Sequence, residues 1–132
     1  MTVNTDNVCT ETLEEIFRQA FFEVEVDCDK DLLVHDTFAC FISNCGESVR
    51  IATAFTFKKS SSRTQRLDLC NRINCACEVL RATCMPKRTL IIDWFLPIRG
   101  GLSASTLVQA FRAFNGRTQS ALTQLDKDNI VE

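Results

Sequence analysis

Thr89-Leu90-Ile91-Ile92-Asp93-Trp94-Phe95-Leu96-Pro97-Ile98-Arg99-Gly100-Gly101-Leu102-Ser103 is the stretch whose reading decides the fold. It is the longest largely apolar run and holds the only tryptophan. An apolar run, a double glycine and a serine read as a strand, a tight bend and a helix start. Side chains alternate along a strand, so Leu90, Ile92, Trp94 and Leu96 point one way and Ile91, Asp93 and Phe95 the other. Both sets are largely apolar. A sheet with one wet face shows cleaner alternation, so the second face is expected to be covered, in this chain or by a partner. Gly100 and Gly101 read as a structural turn, because no second glycine-rich element completes a phosphate cradle.

Working outward, Ser103 can cap a third helix whose stripe is Ala104, Leu107, Val108, Phe111 and Phe114. Asn115-Gly116 is expected to stop or kink it, with a last helical piece over Thr118–Leu125. Upstream, Val79–Cys84 reads as a strand and Met85-Pro86-Lys87-Arg88 as its hairpin turn. A second helix is predicted over Arg63–Cys77, with Leu69, Ile73 and Ala76 on one stripe. Asn71 and Asn74 are awkward there, because asparagine competes for backbone hydrogen bonds; they are exposed, used at the helix end, or contacts. Lys58–Arg63 is a polar connector and the candidate mobile loop.

Further upstream, Phe22–Asp27, Leu32–Ser43 and Val49–Phe57 read as three strands of an antiparallel meander. Thr12-Leu13-Glu14-Glu15 has capping-box spacing. Leu13, Ile16, Phe17, Ala20 and Phe21 then give one apolar stripe, so a first helix is predicted over Thr12–Phe21. Residues 1–9 read as a flexible arm, 10–125 as a single domain and 126–132 as a frayed tail.

A chain of 132 residues with 45% hydrophobic and 24% charged residues has ordinary globular composition. Its net charge is −2, which gives no overall electrostatic case for nucleic acid or an anionic membrane. The polar start lacks the pattern of a signal peptide, and no apolar run approaches the ~20 residues of a membrane span. The expected location is cytoplasmic.

Eight cysteines are many for this length. In a reducing compartment they read as small buried hydrophobes. Structural zinc needs two thiolate pairs at short spacing; Cys75 and Cys77 are the closest pair, and alternate residues diverge on a helix. A thiol-based redox or metal sensor using Cys70, Cys75, Cys77 or Cys84 is the alternative reading. His35 is the only histidine, and on a strand Asp36 points away from it, so no oriented base is in view. Asp27, Asp29 and Asp31 lack the central glycine and distal glutamate of a calcium loop and read as a polar turn. No catalytic residue, metal or cofactor is therefore expected. Ten phenylalanines without a basic companion groove suit a protein surface rather than a nucleic-acid platform.

The predicted order is helix, three strands, helix, two strands, helix. With Leu69-Cys70-Asn71-Arg72-Ile73-Asn74 in the middle helix and Phe95-Leu96-Pro97-Ile98-Arg99-Gly100-Gly101-Leu102-Ser103 before the last, it resembles the YbjN family. The likeness rests on the paired asparagines Asn71 and Asn74, and on Gly101 followed by the cap Ser103. It spans about Thr10 to Leu125. The resemblance implies a type III secretion chaperone-like fold, a small acidic homodimer that grips extended segments of partner proteins, and no catalytic site.

The expected architecture is therefore α+β: helix-β-β-β-helix-β-β-helix around a five-stranded, mainly antiparallel sheet, with the first and third helices on one face. The second helix and the remaining apolar sheet surface are expected to form the dimer. Asn71, Asn74, Ile91, Trp94 and Phe95 are the candidate partner or dimer contacts. The expected function is a non-enzymatic protein-binding module, chaperone-like or regulatory, with a protein partner that the sequence does not name.

Overall fold

The apolar run Thr89–Pro97 is a nine-residue strand, hydrogen-bonded on both sides within a six-stranded antiparallel sheet. The computed structural model describes residues 1–132. In chain order its elements are β1 (Thr2–Val3), α1 (Thr10–Gln19), β2 (Glu23–Val26), β3 (Leu32–His35), β4 (Ala39–Asn44) and β5 (Ser48–Thr56), followed by α2 (Arg63–Ala76), β6 (Arg81–Met85), β7 (Thr89–Pro97), β8 (Leu102–Ser103) and α3 (Ala104–Leu125). The sheet order is β2-β3-β4-β5-β7-β6, and β1 and β8 form a separate two-stranded pair. β5 and β7 pair over nine residues, from Ser48 opposite Pro97 to Thr56 opposite Thr89.

The fold is α+β, with six strands in the main sheet instead of five. Leu32–Ser43 is not one strand. Asp36 donates its N–H to the Phe38 carbonyl at 3.2 Å, and the chain folds back so that Val34 pairs with Cys40. A buried side chain from far away fixes this hairpin: Asn115 Oδ1 accepts the Phe38 N–H at 2.9 Å. A long-range bond of that kind leaves no local pattern.

The same asparagine explains why α3 does not stop at Asn115-Gly116. Asn115 Nδ2 donates to the Phe111 carbonyl at 3.1 Å, so its amide is satisfied inside the core. Phe114, Thr118 and Ala121 continue the buried stripe, and the helix runs unbroken for 22 residues. At the other end Ser103 caps it, accepting from the Thr106 N–H at 3.1 Å.

α1 also starts earlier than the capping-box spacing predicts. Its cap is Cys9, whose Sγ accepts from the Thr12 N–H, while the Thr12 hydroxyl donates back to the Asn7 carbonyl at 3.0 Å. It ends at Gln19, and Phe21 turns outward with φ 67° and 96% exposure. Phe22 takes the inward place, packing edge-on against Phe17 and Phe111 at 6.0 and 5.0 Å between ring centres.

Both chain ends are tied down, in contrast to the expected arm and tail. Val3 is fully buried, and Met1 accepts from the Ala104 N–H at 2.9 Å. At the far end the Asp126 carboxylate accepts the N–H groups of Ile130 and Val131 at 2.9 and 3.0 Å, and Ile130 is buried.

All three helices lie on one side of the sheet. α1 packs over β2, β3 and β4, α2 over β6, and α3 between them. This side holds Val24, Leu32, Val34, Cys40, Ile42, Val49, Ile51, Leu90, Ile92 and Leu96, all buried. At ~1.5–3 kcal/mol per buried side chain, this layer is the main source of stability.

Candidate functional site: the uncovered sheet face

Placing every helix on one side leaves the other side of the sheet bare. Cross-strand register aligns Glu25, Leu33, Phe41, Ala52, Asp93 and Arg81 in one row that crosses all six strands. The flanking rows place Ser43, Arg50 and Phe95 together on one side, and Ala54, Ile91 and Thr83 on the other. The face is acidic at β2, apolar in the middle and basic towards β6. Phe41 and Phe95 are each 40% exposed on it. A cavity of about 340 Å³ opens in its centre, lined in part by Asp31, Phe41, Ser43, Arg50, Ala52 and Ile91.

Asp93 is the one charge buried in this surface, at 1% exposure. A buried carboxylate needs partners. Arg81 supplies Nε to Oδ1 at 2.8 Å and Nη2 to Oδ2 at 2.7 Å; Arg50 supplies Nε and Nη2 to Oδ2 at 2.9 and 2.7 Å. Burial pushes the Asp93 carboxyl up, but the bonds from Arg81 and then Arg50 outweigh it and hold the group below the usual carboxylate range. The bonds to Asp93 hold the Arg81 guanidinium above its ordinary value. Both arginines stack on Phe95, at 5.7 Å for Arg50 and 5.1 Å for Arg81 from guanidinium carbon to ring centre. Sequence reading placed Asp93 on this face without naming its partners. Strand parity assigns a face; it is the register of β5 and β6 on β7 that brings Arg50 and Arg81 beside it.

The five candidate contact residues do not form one site. Ile91 and Phe95 stand on the uncovered face. Trp94 faces the helices, half-buried, with the Arg117 guanidinium of α3 over its ring at 5.8 Å. Asn71 is exposed on α2. Asn74 is used inside the chain: its Nδ2 donates to the Ala82 carbonyl at 3.0 Å and its Oδ1 accepts the Ala82 N–H at 2.7 Å. These are groups on the free edge of β6, where another strand would otherwise pair. Arg18 treats the other edge similarly, donating from Nη2 to the Val24 carbonyl of β2 at 3.3 Å. Gly100 and Gly101 hold φ of 87° and 97°, and a Cβ on Gly101 would lie 3.0 Å from Thr2 Cγ2, so this turn lets β1 dock against β8.

The thiols do not converge. All eight are free; Cys40 and Cys70 are buried, whereas Cys28, Cys45 and Cys75 are exposed, unlike the uniformly buried thiols expected. Burial pushes the Cys40 thiol up to about 12 and the Cys70 thiol up to about 11, and raises Cys77. These three stay protonated near neutral pH, and the thiolate is the reactive form. Asp27, Asp29 and Asp31 are the one set of three metal-type ligands within 4.8 Å of one another. They are exposed, and Asp27 Oδ1 already accepts the N–H groups of Asp29 and Asp31 at 3.0 and 2.8 Å, which makes the turn. His35 Nε2 lies 3.4 Å from the Glu25 carboxylate without an aligned hydrogen bond. No helix is long and apolar enough to cross a membrane.

The family model YbjN, described as "Putative bacterial sensory transduction regulator", matches residues 10–127. Among solved structures, the chain is similar to the E. coli protein described in "Crystal structure of YbjN, a putative transcription regulator". The TM-score is 0.81 at 12% identity, over 95% of this chain and 96% of that one. It is also similar to the Yersinia pestis type III secretion chaperone SycH, solved in complex with a stable fragment of YscM2. There the TM-score is 0.57 at 13% identity, over 87% of this chain and 98% of that one. At these identities the two structures establish a shared fold. No curated protein matches the sequence.

Proposed function

The chain belongs to the YbjN family, and on that premise we propose that it is a non-enzymatic protein-binding module, chaperone-like or regulatory, that acts in the cytoplasm as a small homodimer. One observation carries this reading. A six-stranded sheet has a whole face with no helix over it, and that face presents Phe41, Ile91 and Phe95 between charged ends. An apolar surface rimmed by charge is the ordinary form of a protein-binding surface.

The edges favour the same surface. Strand addition needs unpaired edge groups, and Asn74 and Arg18 each occupy some of these on β6 and β2. Docking onto the face needs none of them. SycH, with the same fold class, was solved holding a fragment of another protein, which makes polypeptide binding a natural use of this scaffold.

The test is affinity capture from native lysate with the wild-type protein and with Phe95→Asp as paired baits. The reading expects a protein recovered at stoichiometric level by the wild type and lost with the variant. Identical recovery by both baits, or recovery of nothing, overturns it.

A further inference from the structure

The net charge of −2 hides a local excess of positive charge at the other end of α2. The most enclosed of the surface cavities, about 370 Å³, lies between the start of α2 and the β6–β7 turn. Arg63 and Arg66 line it from the helix; Lys87 and Arg88 line it from the turn. No acidic residue lines it, and none of these four cations belongs to an ion pair. Four of the seven arginines elsewhere in this chain, Arg18, Arg50, Arg72 and Arg81, pair with carboxylates, and Arg112 and Arg117 lie over aromatic rings. Four unpaired cations around one pocket repel one another, and an anion between them removes that repulsion.

Two of the three arginines, Arg66 and Arg88, are held in place by neutral groups. Arg66 donates Nε to the Ser61 hydroxyl at 3.0 Å and Nη2 to the Ser61 carbonyl at 2.8 Å. Arg88 donates Nη1 to the Phe57 carbonyl at 2.8 Å. Neutral anchors fix the side chains without neutralising them, and each guanidinium keeps further N–H groups to offer. Lys87 and Arg88 both sit in the left-handed region, at φ 62° and 54°, which disfavours any residue with a Cβ. The positive end of the 14-residue α2 adds to the field, since Arg63 is its first residue.

We propose that this pocket is a binding site for a compact, multiply charged phosphate compound of the diphosphate class. Guanidinium forks match phosphate oxygens bidentately, and three guanidinium groups with a lysine suit more than one phosphoryl group. The volume is on the scale of small-ligand pockets, roughly 300–1,000 Å³. No aromatic side chain lines it, so nothing there stacks a base as a single-stranded nucleic-acid groove would.

Isothermal titration with inorganic diphosphate at low salt tests the site. One equivalent should bind the wild-type protein, more weakly as salt is raised. Arg63→Glu/Lys87→Glu changes two exposed cations that make no internal hydrogen bond, so it should fold normally by circular dichroism and bind at least tenfold more weakly. Lys127→Glu, an exposed cation elsewhere, should bind as the wild type does. Absence of binding at millimolar diphosphate overturns the proposal, as does undiminished binding by the double variant. If a single-stranded oligonucleotide binds far more tightly than diphosphate and is lost in the double variant, the pocket serves a nucleic-acid backbone and the small-ligand assignment falls.

Discussion

Asp93 shows how one residue ties the candidate site to stability. Its carboxylate is buried in the sheet face and held by two partly exposed arginines. Hydrogen bonds to a charged group contribute about 1.5–3 kcal/mol, so Asp93→Asn should destabilise the protein by about 2 kcal/mol near neutral pH. The folded carboxyl lies below its unfolded value of about 4, so the folded chain binds fewer protons than the unfolded one in that window. Its contribution is complete above about pH 4 and is lost as pH falls through the folded value. Urea unfolding near neutral pH and near about pH 3 checks this: the gap between wild type and Asp93→Asn should narrow in acid. An unchanged gap would show that the arginine bonds are not its origin. The two asparagines of α2 separate at the same scale. Asn74→Ala removes two bonds to Ala82 and should destabilise by about 1 kcal/mol, whereas exposed Asn71→Ala should stay within about 0.5 kcal/mol of wild type by denaturant unfolding. Sequence reading could see that asparagine in a helix needs a reason, but not that Asn74 imitates a strand partner, because its two bonds depend on where β6 comes to rest.

Among the elements, what was legible was periodic and what was not was tertiary. The alternation in Thr89–Pro97 and Val49–Phe57 gave two strands and assigned their faces, and the stripe of Ala104–Phe114 gave the third helix. The hairpin between β3 and β4, the continuation of α3 and the docked chain ends all depend on distant contacts: Asn115 to Phe38, Ala104 to Met1, Lys58 to Ile130. The uncovered face was anticipated as a surplus of apolar residues, but the basic pocket was invisible because its cations come from two separated segments in an acidic chain. The glycines make a paired prediction. Gly101→Ala meets both a left-handed φ and a close Thr2 methyl, so it should destabilise by about 1–3 kcal/mol and loosen β1. Gly116→Ala lies in mid-helix with open space around its Cβ position and should stabilise by about 0.5–1 kcal/mol. Thermal unfolding of the two variants should move in opposite directions. A stabilised Gly101→Ala would show that the turn does not need its conformation.

For the whole molecule, the question is what covers the bare side of the sheet. The row Glu25–Leu33–Phe41–Ala52–Asp93–Arg81 runs from acidic to apolar to basic across six strands. A two-fold axis lying in the interface, parallel to the strands and level with the middle of such a row, brings the acidic end of one copy over the basic end of the other and apolar centre against apolar centre. The face is therefore complementary to itself as well as suited to a partner segment. Light scattering at micromolar concentration should return twice the 14.9 kDa chain mass. Phe41 stands in the centre of the row and is 40% exposed, so Phe41→Asp places a charge in the contact without opening the core. It should give the single-chain mass with an unchanged far-ultraviolet circular dichroism spectrum. Raised salt should weaken the wild-type dimer by screening its end-to-end charge pairing. A wild-type protein that scatters as a single chain removes the dimer altogether. A Phe41→Asp variant that stays dimeric moves the contact to another surface, with the exposed side of α2 next in line, and leaves the sheet face free for a partner protein.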